Sequence, residues 1–96
     1  MSKRDVEQAA AGWWVYMLRC ADGTLYTGIA KDLARRLATH AAGNGSRYTR
    51  ARRPVELVFA EPRADRSAAS RREAALKRLP RAAKWRLVRA GAPPQI

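Results

Sequence analysis

Acids are scarce in this chain: eight Asp and Glu stand against twenty Lys and Arg, a formal charge of +12. That imbalance excludes an acidic solvating chain and any partner that is itself strongly basic. Cysteine is nearly absent. Cys20 has no partner within the chain, so no internal disulfide holds the fold, and the usage fits a reducing cytoplasm. Long apolar runs are also missing. The longest, Trp13 to Leu18, falls far short of the roughly 20 residues a membrane helix needs. Asp5 and Glu7, followed by a Trp pair, argue against reading the opening residues as a signal peptide. Histidine occurs once, at position 40, and no asparagine follows Asn44.

Ninety-six residues with 47% apolar content suit one small core rather than a disordered chain. Most of the positive charge is arginine, whose planar fork matches phosphate oxygens. A nucleic-acid partner is therefore favoured over anionic lipid or a merely solubilising surface. Nothing in the pattern calls for a membrane or a protein partner.

Residues 1–11 lack a core pattern and read as a tail, 12–91 as the domain, and 92–96 as a second tail. "WWVYMLRC" and "TLYTGI" read as strands joined at "ADG". A two-residue loop would put Tyr16 and Tyr26 on opposite faces. A three-residue loop, with Gly23 in the left-handed bulge position, pairs Leu18 with Tyr26 and puts both phenols on one face. We predict the second register, because shared chemistry needs shared orientation.

Asp32 is the expected N-cap of a helix to about Ala42, stopped by Gly43, with Leu33, Leu37 and Ala41 as its apolar stripe. Arg36 and His40 fall at the border of that stripe and Arg35 on the solvent side. "GNGSRYTRARRP" reads as a basic loop, "VELVFAE" as a third strand, 67–79 as a second helix and 81–90 as a third. The expected fold class is α/β (α+β): a three-stranded antiparallel sheet flanked by about three helices.

On this frame stand Tyr16 in "VYM", then "YTG" ten residues later, Arg36 ten after Tyr26, His40 four further on, and Glu73 in "SRREAALKRL". The order and spacing closely resemble the GIY-YIG nuclease domain, in its small stand-alone subgroup, over about residues 13 to 89. The resemblance implies a metal-dependent endonuclease (a phosphodiester hydrolase) with Tyr16, Tyr26, Arg36, His40 and Glu73 as catalytic residues. It implies Glu73 as the single ligand of Mg²⁺ or Mn²⁺, and both tyrosines in the site without dividing their roles. Lys31, Arg47, Tyr48, Thr49, Arg50 and Arg72 are the expected nucleic-acid contacts, with DNA placed ahead of RNA. With no second domain to read sequence, structure-dependent or weakly selective cleavage, as in DNA repair or processing, is expected. Two departures stand out: Ile29 follows Gly28 where some members have lysine, so that any role of that lysine is missing or moved to Lys31, and the late asparagine of several members has no counterpart.

Hydrolysis of a phosphodiester needs a water that loses a proton, a cation against the phosphate, and help for the leaving oxygen. A free phenol, with a pKa of about 10, becomes a base only beside a cation. Arg36 offers a phosphate two donors. Plainer readings compete. Strand tyrosines often only pack, a lone helix histidine is usually structural, and Ser70 with Glu73 has the capping-box spacing. Ala68 and Ala69, which fit the apolar stripe of an earlier start, oppose that last reading, while Arg72 within the same stripe is unexpected. The functional alternative is a basic nucleic-acid-binding module of the same fold with little or no activity.

Overall fold

The structure, a computed structural model, describes residues 12–91. Both expected tails, 1–11 and 92–96, lie outside the described residues. The elements run β1 (Trp13–Arg19), β2 (Leu25–Ala30), α1 (Leu33–Ala41), the one-turn α2 (Arg47–Arg50), β3 (Glu56–Arg63), α3 (Arg66–Arg78) and α4 (Arg81–Ala90). This is the expected three-stranded antiparallel α+β arrangement. The difference is a fourth helix, α2, where a loop was expected.

The sheet order is β2-β1-β3, both pairings antiparallel. β1 is therefore central, and from Trp14 to Leu18 no residue is more than 1% exposed. A strand buried on both faces reads as an unbroken apolar run, which is why "WWVYML" shows no alternation. On one face Trp14, Tyr16 and Leu18 pack with Ala30 and with Leu33 of α1. On the other, Val15 packs with Ala69 and Leu76 of α3, and with Leu87 of α4. One helix thus covers the first face and two cover the second. β3 runs to Arg63, beyond its expected end, and carries a bulge: Met17 faces Phe59 but Leu18 faces Leu57.

The hairpin takes the three-residue loop. Leu18 pairs with Tyr26, the Cys20 N–H donates to the Thr24 carbonyl (2.9 Å), and Gly23 has φ +83°. Only a residue without Cβ adopts that backbone without strain. The loop is also an anchor. Asp22 accepts from the Thr24 hydroxyl (2.6 Å) and amide (3.1 Å), and from Arg52 Nε at 3.0 Å. The Ala21 N–H donates to the Arg52 carbonyl (2.9 Å). So the hairpin tip fixes the segment that follows α2.

α1 begins as expected, with the Asp32 carboxylate accepting from the Arg35 N–H (3.0 Å). It ends before Gly43, whose φ is +87°. Its buried stripe is Leu33, Leu37 and His40, while Ala41, expected inside, is exposed. Steps of four residues drift about 40° each around a helix, so i, i+4, i+7 holds one face better than i, i+4, i+8. α3 starts at Arg66 with Asp65 as its cap (Asp65 Oδ1 to the Ala68 N–H, 2.8 Å). Glu73 therefore lies mid-helix and is not part of a capping box. Among the described residues no helix is long and apolar enough to cross a membrane.

The Thr24 hydroxyl and amide, with Arg52 adding less, hold the Asp22 carboxyl below its usual range. A depressed folded-state value means stability present above about pH 3.9, the unfolded value. That stability is lost as pH falls through the lowered one. Asp22→Asn should remove this part of the acid dependence and lower the melting temperature at neutral pH; thermal melts of both proteins between acid and neutral pH test it.

Candidate active site

Tyr16 and Gly28 are cross-strand partners, and the Tyr16 ring lies across the glycine. A Cβ at position 28 would stand 2.6 Å from the Tyr16 hydroxyl oxygen and 2.7 Å from Cζ. Glycine is needed here for this approach and not for a positive φ. From there the hydroxyl reaches His40 Nε2 at 2.8 Å, and His40 Nδ1 meets Thr49 Oγ1 at 2.9 Å. Thr49 Oγ1 is 2.9 Å from Ser46 Oγ, which caps α2 by accepting the Thr49 N–H (3.1 Å). Tyr16, His40 and Thr49 are each 0% exposed. Gly45 closes the other side, for a Cβ there would be 2.1 Å from His40 Nδ1.

Tyr26 completes an aromatic cluster. Its ring centroid is 6.4 Å from that of Tyr16, 5.3 Å edge-on from His40, and 6.1 Å, stacked, from Tyr48. The Arg52 guanidinium covers Tyr48 at 3.8 Å from its centroid. The chain of contacts from the hairpin tip to the site is thus Asp22, Arg52, Tyr48, Tyr26.

Two charges bear on the Tyr16 hydroxyl: Arg36 favours its ionised form, and Glu73, on the same stripe of α3 as Ala69 and Leu76, opposes it. Arg36 has unspent donors. Its Nη2 reaches the Gly45 carbonyl only at 3.5 Å, and its Nε is buried without an acceptor. Among the described residues Glu73 is held only by Lys77, at 3.6 Å.

Burial pushes the Tyr16 phenol up, with Tyr26 and Glu73 adding to it, against the Arg36 hydrogen bond and charge. His40 is pushed down, first by burial and then by Arg36. The Tyr16 bond strengthens the hold of Arg36 on its proton. The resting site is therefore a neutral phenol, a neutral imidazole and a guanidinium.

The structure brings Tyr16, Tyr26 and His40 into contact, with Arg36 beside them at Gly45, and sets Glu73 on the half-buried side of α3. The six expected contacts divide. Lys31, Arg47 and Arg50 are exposed. Tyr48 is half-buried in the aromatic stack, and the hydroxyl of Thr49 is taken up inside the site by His40 and Ser46. Arg72 turns away from the site to the Glu61 carboxylate of β3 (2.9 and 3.5 Å), which explains its place in the apolar stripe. Sequence reasoning missed Ser46, Gly45 and Arg52. Only Ser46 left a signal, a cap residue just before four residues able to form a helical turn.

Two shallow cavities flank the site. One of ≈ 380 Å³ is lined by Arg36 with Lys31, Arg35, Thr39 and Arg66. The other, ≈ 240 Å³, is lined by Tyr26, Thr27, Tyr48, Lys77 and Lys84. Their walls are cationic where a polyanion would pass.

Residues 12–86 match the family model of the GIY-YIG catalytic domain. A UPF0213 protein of Desulfotalea psychrophila is 54% identical over 79 residues, covering 81% of this chain and 72% of that one. A UPF0213 protein of Natronomonas pharaonis is also 54% identical over 79 residues, covering 82% and 93%. Among solved structures, the solution NMR structure of a UPF0213 protein from Bacillus halodurans is similar, at 40% identity. Its TM-score is 0.57, with 86% of this chain and 88% of that one covered.

Two outcomes test this geometry. Gly28→Ala should displace the Tyr16 ring and break its bond to His40 although the backbone tolerates alanine; loss of cleavage with a retained far-UV spectrum is expected. The single histidine should titrate below its usual value of about 6.5, read directly by NMR. A lowered folded value means that the unfolded chain takes up this proton first. Stability should therefore fall as pH drops below about 6.5, down to the folded value.

Proposed function

The chain belongs to the GIY-YIG catalytic-domain family, and we propose that it hydrolyses nucleic-acid phosphodiesters, DNA in the first instance, with the aid of one divalent cation. The observation that carries this reading is the grouping of Tyr16, Tyr26 and His40 beside an Arg36 guanidinium that has unspent donors. A base candidate and a phosphate-binding fork stand beside cationic walls, and Glu73 offers a carboxylate from α3.

The residues fit a Mg²⁺-like ion. Glu73 is 24% exposed and weakly engaged, and no group of three His, Cys, Asp or Glu among the described residues forms a closed cage. An ion of this kind keeps its waters and takes one or two carboxylates together with substrate phosphate, so one carboxylate beside a phosphate site suits it. When bound, it would supply positive charge against the phosphate and the leaving oxygen.

The chain's own residues do the rest. Arg36 turns its free donors to the scissile phosphate, an acceptor they lack in the resting protein. Tyr16 presents its oxygen to the attacking water, with Arg36 favouring the phenolate and His40 holding the hydroxyl in place. Tyr26 borders the same space and orients the water or the phosphate. Lys31 lines the same cavity as Arg36 and adds a second cation for the phosphate. Exposed Arg47 and Arg50 meet flanking phosphates.

Cleavage of labelled single- and double-stranded DNA and RNA, with and without Mg²⁺ or Mn²⁺, tests the reading. Glu73→Ala should abolish metal-dependent cleavage and leave binding in metal-free buffer unchanged or slightly tighter, since a negative charge is removed. Arg36→Ala should weaken both binding and turnover. Arg35→Ala should lower affinity and flatten the slope of log K against log salt by about one unit without changing turnover at saturation. A wild type that binds but cleaves none of these substrates with either ion would leave the binding-module reading standing.

A further inference from the structure

We propose that Ser46 and Thr49 are positioning residues that fix His40 as its Nδ1–H tautomer, so that the Tyr16 hydroxyl donates to Nε2 and keeps its lone pairs free. The proposal rests on the nuclease reading for its consequence. The tautomer itself is independent of catalysis.

The hydrogen-bond inventory distinguishes the two tautomers. With the proton on Nδ1, the ring donates to Thr49 Oγ1 at 2.9 Å. The Thr49 proton is then free for Ser46, whose Oγ lies at 2.9 Å and whose carbonyl lies at 3.4 Å. At the other end Tyr16 donates to Nε2 at 2.8 Å. Every ring and hydroxyl proton of this chain of contacts can then find an acceptor, and the Tyr16 lone pairs stay free. With the proton on Nε2, the Tyr16 oxygen would receive a donor from His40. Its own proton would then have no acceptor among the described residues, at a hydroxyl that must present a lone pair to act as a base. The Thr49 proton would have to turn from two Ser46 acceptors to the ring.

Burial makes the choice matter. His40 and Thr49 are 0% exposed, so no bulk water can substitute for the missing partner. Gly45 adds rigidity, because its backbone lies where any side chain would strike the ring. A third group that orients a histidine by its far nitrogen is a recurrent device of catalytic sites. Here the group is a neutral hydroxyl, so it sets the tautomer without adding a charge. α2 exists at this point because Ser46 caps it, and that cap is what turns Thr49 toward the ring. The "SRYT" turn is therefore a support for the histidine as much as a stretch of basic surface.

Histidine occurs once in the chain, so ¹⁵N-histidine labelling reports this ring without assignment ambiguity. The full-length protein at pH 7 should show Nδ1 protonated and Nε2 bare. Thr49→Val, which keeps the shape and removes the hydroxyl, should move the proton to Nε2. It should also lower kcat roughly tenfold or more with KM little changed. Thr49→Ser should restore both the tautomer and the rate. If Thr49→Val does not fold, as judged by its melt, Ser46→Ala and Thr49→Ser provide the same comparison. A wild-type ring protonated on Nε2, or a folded Thr49→Val with an unchanged tautomer, would overturn the proposal. A correct tautomer in a protein that cleaves nothing would uphold the positioning and overturn only the nuclease reading.

Discussion

The bond from the Tyr16 hydroxyl to His40 Nε2 is the contact on which the rest of the site depends. It joins the central strand to the last turn of α1, across a glycine that must lack a side chain for the ring to pass. Both partners are fully buried, so the bond is made in a medium where an unpaired hydroxyl or imidazole would cost about 1–3 kcal/mol. The same low dielectric raises the phenol and lowers the imidazole, which keeps both neutral at rest. Arg36 is then the cation that bears most on the phenol.

Acids are scarce, and most carboxylates among the described residues have a visible partner. Asp32 and Asp65 cap α1 and α3. Asp22, Glu56 and Glu61 pair with Arg52, Arg19 and Arg72. Glu61 also pairs with Arg63. Glu73 stands apart: among the described residues its ion-pair partner is Lys77 of its own helix. The cationic surplus is left along the walls of the two cavities.

Support for the site comes from far along the chain. The hairpin tip holds Arg52, which covers Tyr48, which stacks on Tyr26. Arg53 donates to the Ala41 carbonyl at the end of α1. These contacts set the one-turn α2 against α1, so that Thr49 meets His40. A segment that looks like basic surface is in large part internal scaffolding.

Local chemistry decided much of this before the chain folded. Asp-Gly in a three-residue loop set the hairpin register, and the register alone put Tyr16 and Tyr26 on one face. Asp32, Gly43 and the turn of proline and glycine residues around α4 fixed helix ends, because caps and left-handed positions are properties of neighbouring residues. The ordered spacing of Tyr16, Tyr26, Arg36, His40 and Glu73 made the family legible. Tertiary structure decided what spacing cannot encode. The two hydrogen-bond partners of buried His40, Tyr16 and Thr49, came from what the last turn of α1 packs against. The turning of Arg72 to Glu61 needed a strand eleven residues away. Gly28 and Gly45 are fixed by rings they touch in space. Thr49, which in sequence reads as one more polar loop residue, became a partner of the histidine only when α2 docked on α1, since a hydroxyl acquires its role from the group that is buried beside it.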